Sequence, residues 1–219
     1  MNRLGKIVVA ILLLAGVMSG LLGFQNKIVG YAGDSISRYQ MGFQSYELPF
    51  LPPQNVHIFG QDGLTCRQLQ PLMKYMIPAN ADVAVLLGLP TNDISQGLSV
   101  YDHINCVWQI IGDLTSAGRN PNVKILLVNE HPFTQGNCVG DVRDLIDTYN
   151  QAYWNTPWPN NVTVVDTFTP NAGPDRWAIP SHIDGFCGVH PGPKMVWAGG
   201  WLYYTRALTQ AVYVALRQS

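Results

Sequence analysis

The chain has 219 residues, 47% hydrophobic and 12% charged, so it is long enough to bury one full core and too apolar to stay disordered. Thirteen Lys and Arg stand against fourteen Asp and Glu, a formal net charge of -1. No basic stripe breaks that balance, which argues against a nucleic-acid partner.

The first element is a basic start, with Arg3 and Lys6, followed by the uncharged run Ile7 to Phe24. That order reads as an export signal over residues 1–24. Val17-Met18-Ser19 is a weak cleavage site, and the run is also long enough for an uncleaved membrane anchor over 7–24, so both fates stay open. Either fate puts the remaining domain, 25–219, in the periplasm or outside the cell. Four cysteines fit such a compartment as disulfides. None lies in a Cys-x-x-Cys pair, so the spacing of a zinc site is missing and no metal is expected.

After the export segment, β-rich apolar runs alternate with longer amphipathic ones. Strands are predicted at Lys27–Tyr31, Asn55–Phe59, Asp82–Leu87, Val123–Val128 and Asn161–Asp166. Helices are predicted after Ser35 and over Thr65–Met76, Tyr101–Ala117, Val139–Trp154 and Pro193–Arg217. In the last of these, Trp197, Trp201, Tyr204, Leu208, Ala211 and Ala215 form one apolar stripe at steps of three and four. Thr167 to Gly188 is rich in Pro and Gly and reads as a long irregular loop of the functional kind. The alternation predicts an α/β domain, a flavodoxin-like three-layer α/β/α sandwich around a five-stranded parallel sheet.

In such a sheet the binding crevice lies outside the carboxyl ends of the strands. Ser35 follows the first predicted strand, Gly63 the second, Asn92 the third and His190 the fifth. A serine on a strand-to-helix turn with a histidine far downstream is the trace of a nucleophile and its base.

Four blocks occur in order over nearly all of the domain: Gly33-Asp34-Ser35-Ile36-Ser37, Gly60-Gln61-Asp62-Gly63, Gly88-Leu89-Pro90-Thr91-Asn92-Asp93 and Gly188-Val189-His190-Pro191. Together they resemble the SGNH, or GDSL-type, hydrolase superfamily. The resemblance implies a serine hydrolase that cleaves carboxylic esters through an acyl-serine intermediate, with no cofactor. Ser35 would attack, and His190 would carry the proton to the leaving alcohol. The oxyanion would be held by the backbone N–H of Ser35, the backbone N–H of Gly63 and the side-chain amide of Asn92. Short-acyl esters, lipids and acetylated glycans all fit as small-molecule substrates.

The chain departs from the family in two places. Three residues, Leu89-Pro90-Thr91, separate Gly88 from Asn92 where the family has one. The acid that orients the histidine sits three residues before it, and here that position is Cys187. Asp184, six before His190, is the candidate acid; the alternative is that Asp184-Gly185 is a plain turn beside a Ser–His dyad. Loss of the acid also favours a rival reading, a catalytically impaired module that keeps the fold for binding or scaffolding.

With the sheet order 2-1-3-4-5, the second and third predicted helices share one face, and the loops after the fourth and fifth strands are neighbours. That topology pairs Cys66 with Cys106 and Cys138 with Cys187. The remaining histidines, His57, His103, His131 and His182, show no paired metal-ligand spacing; His57 reads as packed, His131 as lining the pocket and His182 as a weak rival base. Trp108, Trp154, Trp158 and Trp177 are candidates for sugar or lipid contact, or for core. Asn161-Val162-Thr163 is a formal glycosylation sequon within a predicted strand.

Overall fold

The computed structural model describes residues 23–40, 48, 50–132, 141–170, 172 and 200–219. Five strands, β1 (Val29–Gly33), β2 (Val56–Gly60), β3 (Val83–Leu87), β4 (Lys124–Val128) and β5 (Val162–Val165), form one sheet. Every pairing is parallel and the order is β2-β1-β3-β4-β5, as expected from the sequence. Strands β1 and β3 are buried at every residue, which is why they read as continuous apolar runs rather than alternating ones.

The helices are α1 (Ser35–Gln40), α2 (Cys66–Met76), α3 (Leu89–Ser95), α4 (Val100–Leu114), α5 (Arg143–Asn155) and α6 (Gly200–Leu216). Two have clear start signals. The Gln68 carboxamide accepts from the Thr65 N–H at 2.9 Å ahead of α2, and Ser99 Oγ accepts from the Asp102 N–H at 3.1 Å ahead of α4. Helix α3 is not among the predicted elements. Pro90 signals a break when read alone, but it sits in the first turn, where a missing N–H costs nothing.

Period-two alternation along the strands feeds two cores. Val29, Tyr31, Val83, Val85, Leu126 and Val128 face Ile36 of α1 and Leu208, Val212 and Leu216 of α6. Ala32, Ala84, Leu86, Ile125 and Leu127 face Leu69 and Met73 of α2 and Val107, Ile110 and Leu114 of α4. These are the three layers, helices on both sides of the sheet. The stripe expected on the last helix is present at Leu208 and Ala215, with Val212 and Leu216 added to it. Its members Trp197, Trp201 and Tyr204 lie outside the described side chains.

A disulfide joins Cys66 to Cys106 across α2 and α4, with the Cα atoms 6.2 Å apart. Cys138 and Cys187 lie outside the described residues. So do residues 1–22, which hold most of the segment read as an export signal. Phe24, read as the last residue of that segment, is buried in the core, with its ring 5.7 Å from that of Phe50 and 5.6 Å from that of Tyr213. An apolar residue at such a boundary suits either environment, so hydropathy alone does not separate them. Among the described residues no helix is long and apolar enough to cross a membrane.

Candidate active site

The sheet order reverses direction between β1 and β3, and in doubly wound sheets the crevice opens at that switch point. Ser35 stands there, the first residue of α1 and two residues past the end of β1. Asp34, between them, is fully buried. Its Oδ1 accepts from the Ile36 N–H at 2.8 Å, which fixes the turn that carries the serine. Its Oδ2 accepts from the Asn92 side-chain amide at 3.0 Å. Burial pushes the Asp34 carboxyl well above the ordinary carboxylate range, against the hydrogen bond from the Ile36 N–H, and the charges of Glu130 and Asp62 push it further.

The carboxylate fits because residue 88 is glycine. Gly88 takes a left-handed φ of 63°, and a Cβ at that position would overlap the Asp34 carboxylate. The turn starts α3 immediately, so the longer connection Leu89-Pro90-Thr91 is wound into a helix and Asn92 comes back to the edge of β1. An amide NH2 carries two hydrogens, and Asp34 takes one from Asn92. The second is left for another acceptor.

Gly63 lies in the turn after β2, exposed and with φ at 72°. The turn is tied to the end of β1 by the Gln61 N–H, which donates to the Gly33 carbonyl at 3.0 Å. It is tied to the end of α3 by the Gln96 amide, which donates to the Gly63 carbonyl at 3.3 Å. Ser35, Gly63 and Asn92 therefore share one edge of the sheet. His190, Asp184 and His182 lie outside the described residues.

Asp93, the last residue of the third block, anchors α3. Its Oδ1 accepts from the Cys66 N–H at 2.8 Å, and its Oδ2 lies 2.7 Å from His103 Nδ1. His103 Nε2 is 2.8 Å from the Tyr153 hydroxyl. Burial raises the Tyr153 pKa well above its ordinary value, so the phenol keeps its proton to donate. One tautomer satisfies the chain: Tyr153 donates to Nε2 and Nδ1–H donates to Asp93. Cys66 Sγ and ligand atoms of Asp93 and His103 lie within 4.8 Å of one another, but the sulfur is in the disulfide and both imidazole nitrogens are engaged.

Thr91, Glu130 and His131 form a second buried group beside Asp34. The Thr91 hydroxyl donates to Glu130 Oε2 at 2.8 Å, and His131 Nδ1 lies 2.8 Å from Glu130 Oε1. His131 is thus buried against an acid rather than lining open space. Glu130 is absent from the candidates that the sequence suggests; the available signal is three polar residues, Asn129-Glu130-His131, directly after a buried strand.

Among the tryptophans, Trp108 and Trp158 pack on each other with ring centroids 5.1 Å apart. Trp154 is half exposed and lines a cavity of about 200 Å³ with Asp147, Asp166 and Phe168 beside the ends of β4 and β5. Trp177 lies outside the described residues.

No protein-family model matches the chain, and no curated protein matches it in sequence. Solved structures match its fold. A GDSL-like lipase from Bacteroides thetaiotaomicron superposes with a TM-score of 0.65 at 18% identity, covering 86% of this chain and 89% of its own. The acetyl xylan esterase Axe2 from Geobacillus stearothermophilus gives 0.60 at 18% identity, covering 86% and 95%. A member of the lipolytic G-D-S-L family from Veillonella parvula gives 0.60 at 16% identity, covering 85% and 96%.

Proposed function

We propose that this chain, whose fold is that of the GDSL-type lipases and esterases, is itself a serine hydrolase of the SGNH superfamily that cleaves carboxylic esters. The observation that carries the reading is Asp34, which fixes the turn bearing Ser35 with one oxygen and the amide of Asn92 with the other. A nucleophile and an oxyanion donor are thereby held by one carboxyl group, at the switch point of a fold that hosts this chemistry.

In the proposed reaction, Ser35 Oγ attacks the ester carbonyl carbon while His190 takes its proton. The oxyanion is met by the N–H groups of Ser35 and Gly63 and by the second hydrogen of the Asn92 amide. Collapse of the intermediate breaks the bond to the alcohol, which leaves with the proton from His190. Water, deprotonated by the same imidazole, then releases the acid and restores Ser35. Asp184 orients His190, or the pair acts as a dyad. The first 24 residues direct export to the periplasm or beyond, by a cleaved signal or as an anchor. Short-acyl esters, lipids and acetylated glycans are the substrate classes in scope.

Cys187 in place of the expected acid favours the rival reading, a binding module without turnover. Hydrolysis of p-nitrophenyl acetate and butyrate decides between the two. The hydrolase reading expects turnover that is lost in both Ser35→Ala and His190→Ala. Wild-type protein that is folded yet inert toward short-acyl, lipid and acetyl-glycan esters would establish the rival.

A further inference from the structure

We infer that Thr91 and Glu130 are positioning residues for the oxyanion donor Asn92, an inference that rests on the hydrolase reading above. Strand β3 runs between β1 and β4, so the helix that follows it, α3, emerges with a neighbouring strand end on either side. Asp34, from the β1 side, holds the Asn92 amide. Glu130, from the β4 side, holds the hydroxyl of Thr91, the residue directly before Asn92. The donor is bracketed by two acids.

Helix α3 needs this. It has seven residues, fewer than the dozen or so at which isolated helices become even marginal, and its position must come from tertiary bonds. Glu130 is built as a fixed post. Its N–H donates to the Asn150 carboxamide oxygen at 2.7 Å and its carbonyl accepts from the Asn150 NH2 at 2.9 Å, so one side chain of α5 clamps its main chain. Both carboxylate oxygens are engaged, Oε2 by Thr91 and Oε1 by the ring and N–H of His131. Only 1% of Glu130 and 4% of Thr91 is exposed, so neither has a contact with bulk water to explain it. Burying a carboxylate costs several kcal/mol before its hydrogen bonds compensate. An apolar residue would cover the end of β4 without that cost, but it would not hold a hydroxyl. The sequence feature behind the arrangement is the longer third block: the residues between Gly88 and Asn92 supply both the helical turn and the hydroxyl that anchors it.

The test is steady-state hydrolysis of p-nitrophenyl acetate by Thr91→Val, Thr91→Ser and Glu130→Gln, with Thr91→Val also placed in an Asn92→Ala background and melting temperatures measured throughout. Displacing the donor should lower kcat by about tenfold to a hundredfold with KM changed less than about twofold. Thr91→Ser, which keeps the hydroxyl, should recover kcat to within about threefold of wild type. In the Asn92→Ala background, Thr91→Val should cost nothing further, because the group it positions is gone. The inference is overturned if Thr91→Val keeps kcat within about twofold, or if it costs the same factor with and without Asn92. If Glu130→Gln does not fold, the Thr91 series decides alone. Ser35→Ala runs in parallel: turnover that survives it removes the hydrolase reading, whereas loss in Ser35→Ala with full activity in Thr91→Val removes only this inference.

Discussion

The two arms beside Ser35 are held in opposite ways. On the β3 side, Leu89, Pro90, Thr91, Asp93 and Ile94 are all buried, and the polar groups among them meet Glu130, His103 and the Cys66 N–H. On the β2 side, Gln61, Asp62 and Gly63 are exposed, no atom of the described residues lies within 4 Å of where a Gly63 side chain would begin, and the turn is tied by the Gln61 N–H to the Gly33 carbonyl and by the Gln96 amide to the Gly63 carbonyl. A donor set by buried, satisfied bonds is already in place before the substrate arrives and needs no reorganisation during the reaction. An exposed turn belongs to the low-stability part of a fold, where backbone can adjust. In the proposed reaction this difference divides the labour, with Asn92 as the fixed reference and the Gly63 turn as the part that accommodates different esters.

Breaking the staple behind both arms should have the largest effect. Cys66 opens α2 just after the Gly63 turn, and its N–H is also bonded to Asp93, so the disulfide to Cys106 supports the two arms together. Closing a 40-residue separation corresponds to about 4 kcal/mol in the chain-entropy view. The Cys66→Ala/Cys106→Ala pair should therefore lower the urea midpoint strongly. A change below about 1 kcal/mol would mean that packing between α2 and α4 holds the arms without the bridge.

Next is the fixed arm. In the proposed reaction Asn92→Ala removes an oxyanion donor, and it should lower kcat by about 10²- to 10³-fold, or roughly 3 to 4 kcal/mol of barrier, with a small change in KM. A purely structural Asn92 would instead lower the melting temperature and leave kcat per folded molecule intact.

On the adaptable arm the expected effects are smaller. Gly63→Ala meets no steric obstacle among the described residues but places a side chain on a backbone with φ at 72°, a strain of about 1 to 2 kcal/mol. Its kcat should fall by less than that of Asn92→Ala, and its effect should differ between acetyl and longer acyl esters. Equal losses across all esters would contradict an accommodating role.

The smallest effect concerns the acid between the arms. Because burial raises the Asp34 carboxyl well above 3.8, the folded state keeps a proton there that the unfolded chain has released. That stability is full below the unfolded value and is lost as pH rises through the folded one. The amide of Asp34→Asn cannot titrate, so in urea melts between about pH 4 and 8 wild type should lose ground to that variant as pH rises. A gap that is constant, or that moves the other way, would show that Asp34 stays ionised when folded.

How much of this can be read from residues alone follows from where each signal lies. The centre of the sheet is legible because Val83-Ala84-Val85-Leu86-Leu87 is apolar without interruption, as a strand covered on both faces must be. Ser35 and Gly63 are legible as positions, each being a turn residue just past such a run. Helix α3 is not, because Gly88 and Pro90 are breakers in isolation and become a start signal only when Asp34 fills the space beside Gly88. Asp93 and Glu130 are not, because their partners are far off in sequence: His103 and, through it, Tyr153 for one, Thr91 and Asn150 for the other. Hydrogen bonds of that range leave no periodicity. The Cys66–Cys106 bridge is the exception, since strand order alone brings α2 and α4 to one face.

Covalent labelling tests the central claim most directly. The protein is treated with a fluorophosphonate, digested, and the adduct located by peptide mass spectrometry. The account predicts a single adduct on the peptide carrying Ser35, absent from Ser35→Ala that folds as wild type does and melts at the same temperature. An adduct on another serine that persists in Ser35→Ala, or no adduct on folded wild-type protein that still hydrolyses esters, would contradict it.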